Sequence, residues 1–150
     1  MPDNAFDLFM GRHPPVGELV QQANGTLWEK SALDPVVKER MRIALAEEIG
    51  CSYCARSRTV IDGIPLVDGS EQVARKSLMA EEFARAVASN VATDAMTVEM
   101  QREFTAAEFS DLVFSIGWFI GMQHVGRLMH WDDSCPVAPI RALVESGEAA

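Results

Sequence analysis

The stretch DPVVKERMRIALAEEIG, residues 34–50, decides the fold predicted for this chain. Asp34 followed by Pro35 is typical of a helix start, because aspartate caps free backbone amides and proline suits the first helical position. Gly50 is typical of a helix end. A helix with apolar residues on two sides is expected to be buried on two sides. The two apolar stripes are Val37, Met41, Leu45 and Ile49, and Val36, Ile43 and Ala46.

Helical patterns extend outward from this stretch over most of the chain. A capping box, Thr105 with Glu108, opens the clearest helix, which is expected to reach about Trp131. Gly117 and Gly121 share one face of it and would let another helix come close, within or between chains. The other predicted helices span residues 15–24 (ended by Asn24-Gly25), 52–62, 70–77, 80–91 and 94–103, with one more short helix in the tail.

The sequence has no alternating strand pattern, so it predicts an all-α fold. With 150 residues, of which 48% are hydrophobic, the chain has the length and apolar content of one ordinary domain. We therefore expect a single domain over residues 1–150, built as a compact bundle of about six to seven helices.

Composition excludes several function classes. A net charge of -9, without a basic cluster, argues against nucleic-acid binding. The most apolar run, LVFSIGWFIGM at residues 112–122, is too short to span a membrane. No leader pattern is visible at the start, and three cysteines do not fit a secreted disulfide scaffold. These features predict a cytoplasmic protein that binds neither nucleic acid nor membrane.

Cys51 and Cys54 follow the end of the helix, three positions apart. Ser52, or Cys51 itself, is a suitable cap for a next helix, which would put Cys54 in the first turn. Free amides and the helix dipole favour a thiolate there. Cys54 thus has a physical reason to be reactive, and Cys51 is placed to form a disulfide with it. The alternative is that both are small buried apolar side chains.

A zinc site is disfavoured, because zinc usually takes four ligands and the remaining candidates have no useful spacing. We therefore expect neither a metal nor a cofactor. Cys135, alone between Ser134 and Pro136, is expected to be inert. The remaining candidate ligands are Cys135, His13, His124 and His130.

Glu39 lies within the second apolar stripe, three residues after Val36 and four before Ile43. Burying a carboxylate costs free energy unless it is paired. Either Glu39 is exposed with its stem covering apolar surface, or it is buried beside a partner. A chain that turns back after Gly50 could bring the cysteine helix alongside it.

Glu39, with Cys51-Ser52-Tyr53-Cys54 beginning twelve positions later, resembles the carboxymuconolactone decarboxylase and alkyl hydroperoxidase D superfamily. The run KERMRIALAEEIGCSYCARSR, residues 38–58, is similar to the core helix pair of that family. The run FTAAEFSDLVFSIGWFIGMQHVGRL, residues 104–128, is similar to its late helix, where an aromatic-rich stretch leads to an arginine, here Arg127. The resemblance covers about residues 33–130.

The resemblance implies an all-helical fold that assembles into dimers, trimers or hexamers. It also implies that Cys54 attacks a hydroperoxide or disulfide substrate and that Cys51 resolves the product. Glu39 would then relay protons, and a cellular dithiol would reduce the pair again.

Arg58 departs from the family pattern, because it stands where the family has a histidine, four residues after Cys54. Arginine stays protonated near neutral pH and cannot accept and return a proton. It can still pair with Glu39 or stabilise a thiolate, so we count it in the predicted site with Cys54, Cys51 and Glu39. His124 or His130 could reach in from the late helix or a neighbouring subunit.

Three functions follow from these observations. The first is a thiol-dependent oxidoreductase of the peroxidase or disulfide-reductase type. The second is a lyase of the decarboxylase branch, acting on a small lactone or keto acid through acid–base groups. The third is a catalytically silent oligomeric module that binds or senses redox state, in which a salt bridge of Glu39 is purely structural.

Overall fold

The computed structural model describes residues 9–56 and 69–131, in which six helices and no strand are found. This confirms the predicted all-α fold. The helices are α1 (Pro14–Glu29), α2 (Pro35–Ile49), α3 (Ser52–Arg56), α4 (Glu71–Ala88), α5 (Asp94–Glu103) and α6 (Ala106–Leu128).

Helix α2 begins and ends where the sequence predicts. The Asp34 carboxylate accepts a hydrogen bond from the Val36 amide at 2.8 Å, which caps the start of the helix. Gly50 ends the helix with a φ of 81°, in the left-handed region that favours glycine. The chain can therefore reverse immediately after α2.

Helix α2 lies at the centre of the fold, packed against α4 and α6. From its first apolar stripe, Val37, Met41 and Leu45 enter the main core, whereas Ile49 stays half-buried. On its other side Ala46 forms a second, smaller cluster with Cys51 and Cys54. The predicted burial of α2 on two sides is thus confirmed. The main core consists of Leu33, Val37, Met41, Leu45, Ala80, Phe83, Ala84, Met100, Phe104, Leu112, Ile116 and Phe119.

The C-terminal end of helix α6 lies beside the turn that carries the two cysteines and contacts α3. The capping box of Thr105 and Glu108 is formed in both directions, as predicted. The helix ends at Leu128, three residues before the predicted limit. A Cβ added at Gly117 or Gly121 would meet no atom within 4 Å, so no helix of the described chain approaches this face closely.

Two predicted boundaries are wrong. Helix α1 continues through Gly25 to Glu29, and the predicted pair of helices at 70–77 and 80–91 is the single helix α4. The helix predicted at 52–62 is described only as far as Arg56, and the predicted tail helix lies outside the described residues. None of the described helices combines the length and apolar character needed to cross a membrane.

Candidate functional site

The cysteine turn is built by hydrogen bonds that reverse the chain after α2. The amides of Gly50 and Cys51 both donate to the Ala46 carbonyl at 2.9 Å. The Cys51 carbonyl then accepts from the Ala55 amide at 2.9 Å, and its sulfur accepts from the Cys54 amide at 3.3 Å. Of the two caps considered from the sequence, Cys51 is the one that caps α3, which begins at Ser52.

The sulfur atoms of Cys51 and Cys54 lie at disulfide distance, and their Cα atoms are 5.3 Å apart. That separation is ordinary for a disulfide. Both residues are buried in the cluster with Ala46. The turn after Gly50 therefore holds the two thiols where one covalent bond can join them.

Glu39 is buried, with 1% of its surface exposed, and it is paired with an arginine of its own helix. Arg42 donates from Nε to Glu39 Oε2 at 2.8 Å and from Nη2 to Oε1 at 2.6 Å. Two parallel bonds between a guanidinium and a carboxylate are strong and directional. Of the two states considered for Glu39, the buried and paired one is therefore observed.

Arg42 also connects this ion pair to the cysteine turn. Its Nη1 donates to the Cys54 carbonyl at 2.7 Å. Arg42 was not among the site residues predicted from the sequence, where Arg58 was the expected partner of Glu39. The signal was available, since residues three apart face each other on a helix and Glu39 and Arg42 have that spacing.

Gln123, on α6, binds the backbone of α2 at Arg42, next to the Glu39–Arg42 ion pair. Its Nε2 donates to the Arg42 carbonyl at 2.9 Å, and the residue is 3% exposed. Its Oε1 has no hydrogen-bond partner among the described residues. The sequence offered no signal for this role beyond a polar residue in an apolar helix.

A pocket of about 180 Å³ opens beside Cys51, between the cysteine turn and the end of α6. His130, with a φ of 50°, lies at its edge. Tyr53 and Trp131 both line it and meet edge to face, with ring centroids 5.5 Å apart. The described lining residues are Gly50, Cys51, Ser52, Tyr53, Gly126, Arg127, His130 and Trp131.

The remaining candidate residues lie outside the described part of the chain or outside this pocket. Arg58 and Cys135 lie outside the described residues. His124 is exposed on α6 and is not among the residues described as lining the pocket. Within residues 9–56 and 69–131, no three histidine, cysteine, aspartate or glutamate side chains gather as metal ligands would.

Comparison with protein families, curated proteins and solved structures found no match to this chain. What the site can do must therefore be argued from its geometry. The described part of that geometry is a cysteine pair at disulfide distance, a buried ion pair bound to its backbone, and a pocket lined in part by Cys51.

Gly126, on α6, lies tightly against Trp131 and Cys51, and this gives a stability prediction. A Cβ there would lie 2.7 Å from Trp131 Cε3 and 3.2 Å from Cys51 Sγ. Overpacking of this kind costs about 1–3 kcal/mol. We expect Gly126→Ala to lower the melting temperature, measured by circular dichroism.

Gly121→Ala is the matched control, because the same change on the same helix points into open space. It should raise stability by about 0.5–1 kcal/mol through helix propensity alone. Equal melting temperatures for the two variants would contradict a close contact at Gly126.

Proposed function

We propose that the protein is a thiol-dependent oxidoreductase in which Cys51 and Cys54 alternate between a dithiol and a disulfide. The observation that carries this proposal is the pairing of the two sulfurs at disulfide distance beside a pocket. The substrate is a small hydroperoxide or disulfide, and a cellular dithiol restores the reduced pair. The likeness to the alkyl hydroperoxidase D superfamily, carried by Glu39 and the two cysteines, supports the same chemistry.

The Glu39–Arg42 pair gives the redox turn a rigid support. Because Arg42 binds both Glu39 and the Cys54 carbonyl, it limits backbone movement where the disulfide forms and breaks. Preorganised geometry of this kind favours a reaction between two groups held at contact distance. Glu39 as a proton relay, and an oligomeric assembly, belong to this proposal as implications of the family resemblance.

Turnover by cysteine variants tests the proposal. Reduced protein is mixed with cumene hydroperoxide or with a small aromatic disulfide, and product is followed with dithiothreitol as the reductant. Wild type should turn over, and Cys51→Ser and Cys54→Ser should both lose turnover. The intact mass of the oxidised wild type should fall by two hydrogen atoms.

Cys135→Ser is the matched control, since it removes the third cysteine of the chain. It should retain activity. Turnover that persists equally in the Cys51 and Cys54 variants would refute the oxidoreductase.

The silent module is a second candidate, and one observation favours it. Both Glu39 carboxylate oxygens accept from Arg42, which suits a structural ion pair as well as a catalytic one. Cysteines that both stay reduced under mild peroxide would support this candidate as a binding module. Thiol counting with a maleimide label after exposure to peroxide distinguishes the two functions.

A further inference from the structure

The two cysteines differ in what they face. Cys51 lines the pocket of about 180 Å³, whereas Cys54 is not among the described residues that line it. Cys54 has slightly more exposed surface, 8% against 2%, but that surface is not described as part of this pocket. A molecule that enters the pocket therefore meets Cys51.

Hydrogen bonding also distinguishes the two cysteines, and it too favours Cys51 as the reactive thiol. The Cys51 sulfur accepts a hydrogen bond from the Cys54 amide. A donor to sulfur favours the charged thiolate over the neutral thiol. When the disulfide is reduced, this amide is already placed to stabilise a thiolate on Cys51.

Among the described residues that line the pocket, the permanent positive charge is that of Arg127. Its side chain passes over Gly50, with Cδ 3.9 Å from the position of a Cβ there. No aspartate or glutamate is among the described lining residues. A guanidinium binds carboxylates with two parallel hydrogen bonds. The chain as a whole has a net charge of -9 and repels anions. The positive charge of Arg127 therefore makes this pocket a local site that attracts them.

We infer that Cys51 is the thiol that attacks the substrate, and that the substrate carries a carboxylate bound by Arg127 close to its reactive bond. This inference rests on the proposed function and assigns its substrate class and the order of its thiols. It reverses the order implied by the family resemblance, in which Cys54 attacks. The pocket is smaller than the 300–1,000 Å³ or so of drug-sized sites, so the bound group is small.

The steps balance for both substrate types. With a disulfide, the Cys51 thiolate attacks one sulfur, the substrate S–S bond breaks, and the leaving thiolate takes a proton from water. The Cys54 thiolate then attacks Cys51 Sγ and releases the second substrate thiol. With a hydroperoxide, Cys51 attacks the terminal oxygen, an alcohol leaves, and Cys54 displaces water from the sulfenic acid. In each case two electrons pass to the substrate, and a dithiol returns them.

Alkylation by two matched reagents tests the inference without any turnover. Iodoacetate and iodoacetamide react with thiolates by the same displacement, and only iodoacetate carries a carboxylate. Reduced protein is labelled to low conversion, and each cysteine is quantified by peptide mass spectrometry. Cys51 should be labelled before Cys54. The ratio of iodoacetate to iodoacetamide rates at Cys51 should exceed the ratio for free cysteine.

Arg127→Gln should lower that ratio about three- to fivefold, the size of effect expected for one exposed ion pair. Its rate with iodoacetamide should change little. Arg102→Gln is the control, because it removes the same charge from an exposed position on α5. It should leave the ratio unchanged.

Labelling of Cys54 before Cys51, or equal ratios in the two arginine variants, would overturn the inference. Neither result would touch the proposed function, which depends on loss of turnover in the cysteine variants. Conversely, an inactive protein that still shows the charge-selective labelling would refute the oxidoreductase and leave an anion pocket at Cys51.

Discussion

The Arg42→Met variant is expected to unfold with a free energy about 3–5 kcal/mol lower than that of wild type. The change removes both guanidinium hydrogen bonds to a carboxylate that is 1% exposed. It also removes the donor to the Cys54 carbonyl. Methionine keeps most of the volume, so the loss reports the charge interaction rather than a cavity. Urea denaturation followed by circular dichroism measures it.

Arg40→Met is the matched control, two residues away on the same helix. Arg40 pairs with Glu81, and both side chains are about a quarter exposed (26% and 23%). Exposed pairs of this kind contribute at most about 1 kcal/mol. If Arg42→Met is no more destabilising than Arg40→Met, the Glu39–Arg42 pair does not support the fold.

The double variant Glu39→Met with Arg42→Met distinguishes the cost of an unpaired buried charge from the effect of the pair on turnover. Removal of both members of a buried pair is often neutral, because no uncompensated charge is left in the interior. We expect the double variant to recover much of the stability lost in Arg42→Met. Recovery of stability without recovery of turnover would show that the pair is needed for turnover itself, as a support of the cysteine turn or through Glu39 as the proposed proton relay.

Local signals were sufficient for the ends of the helices that frame the site. Asp34, Gly50 and the capping box at Thr105 act through their own backbone neighbours, so their effects can be predicted from sequence alone. All three are confirmed.

The wrong helix boundaries arise where tertiary packing overrides a local preference. Glycine in a helix costs about 1 kcal/mol. At Gly25 of α1 this cost is offset because Trp28, further along the helix, packs against the main core. Ser77 does not break α4, since it is fully buried on the face that carries Ala80 and Ala84. Neither contact is visible without the partner helices.

The candidate site was predictable only where its geometry depends on neighbours along the chain. The cysteine pair follows from spacing within one turn, whereas the place of Glu39 in an apolar stripe left both an exposed and a buried carboxylate open. The support from Gln123 and the pocket edge at His130 depend on where the end of α6 lies, which no local pattern states. The prediction for Arg58 stays a prediction, since that residue is outside the described part of the chain.

The Asp111→Asn variant is expected to lose about 3 kcal/mol of stability at neutral pH, the lower end for a broken buried pair because Asp111 keeps some exposure. Asp111 accepts from the fully buried Lys38 ammonium at 2.6 Å, and it also accepts from the Ser31 hydroxyl and the amides of Ala32 and Leu33. These bonds join α6 to α2 and to the segment that precedes it. The amide of asparagine leaves the Lys38 charge uncompensated.

The effect should depend on pH in a defined direction. Burial alone would raise the pKa of Asp111, but the hydrogen bonds from Lys38, Ser31 and the Leu33 amide, with the Lys38 charge, outweigh it and lower that pKa below its ordinary value. The unfolded chain then binds more protons than the folded one between the two values, so stability rises with pH there. The contribution is complete above the unfolded value of about 3.9 and disappears as pH falls through the folded value.

The gap in unfolding free energy between wild type and Asp111→Asn should therefore be constant near neutral pH and close below about pH 4. Asp94→Asn is the matched control, because Asp94 is exposed in the first turn of α5. It should stay within about 0.5 kcal/mol of wild type and keep the acid slope of wild type. Urea denaturation at a series of pH values measures all three proteins. A gap that stays open in acid would mean that Asp111 acts through hydrogen bonds that do not need its charge, because protonation of the wild-type carboxyl would then leave its contribution intact.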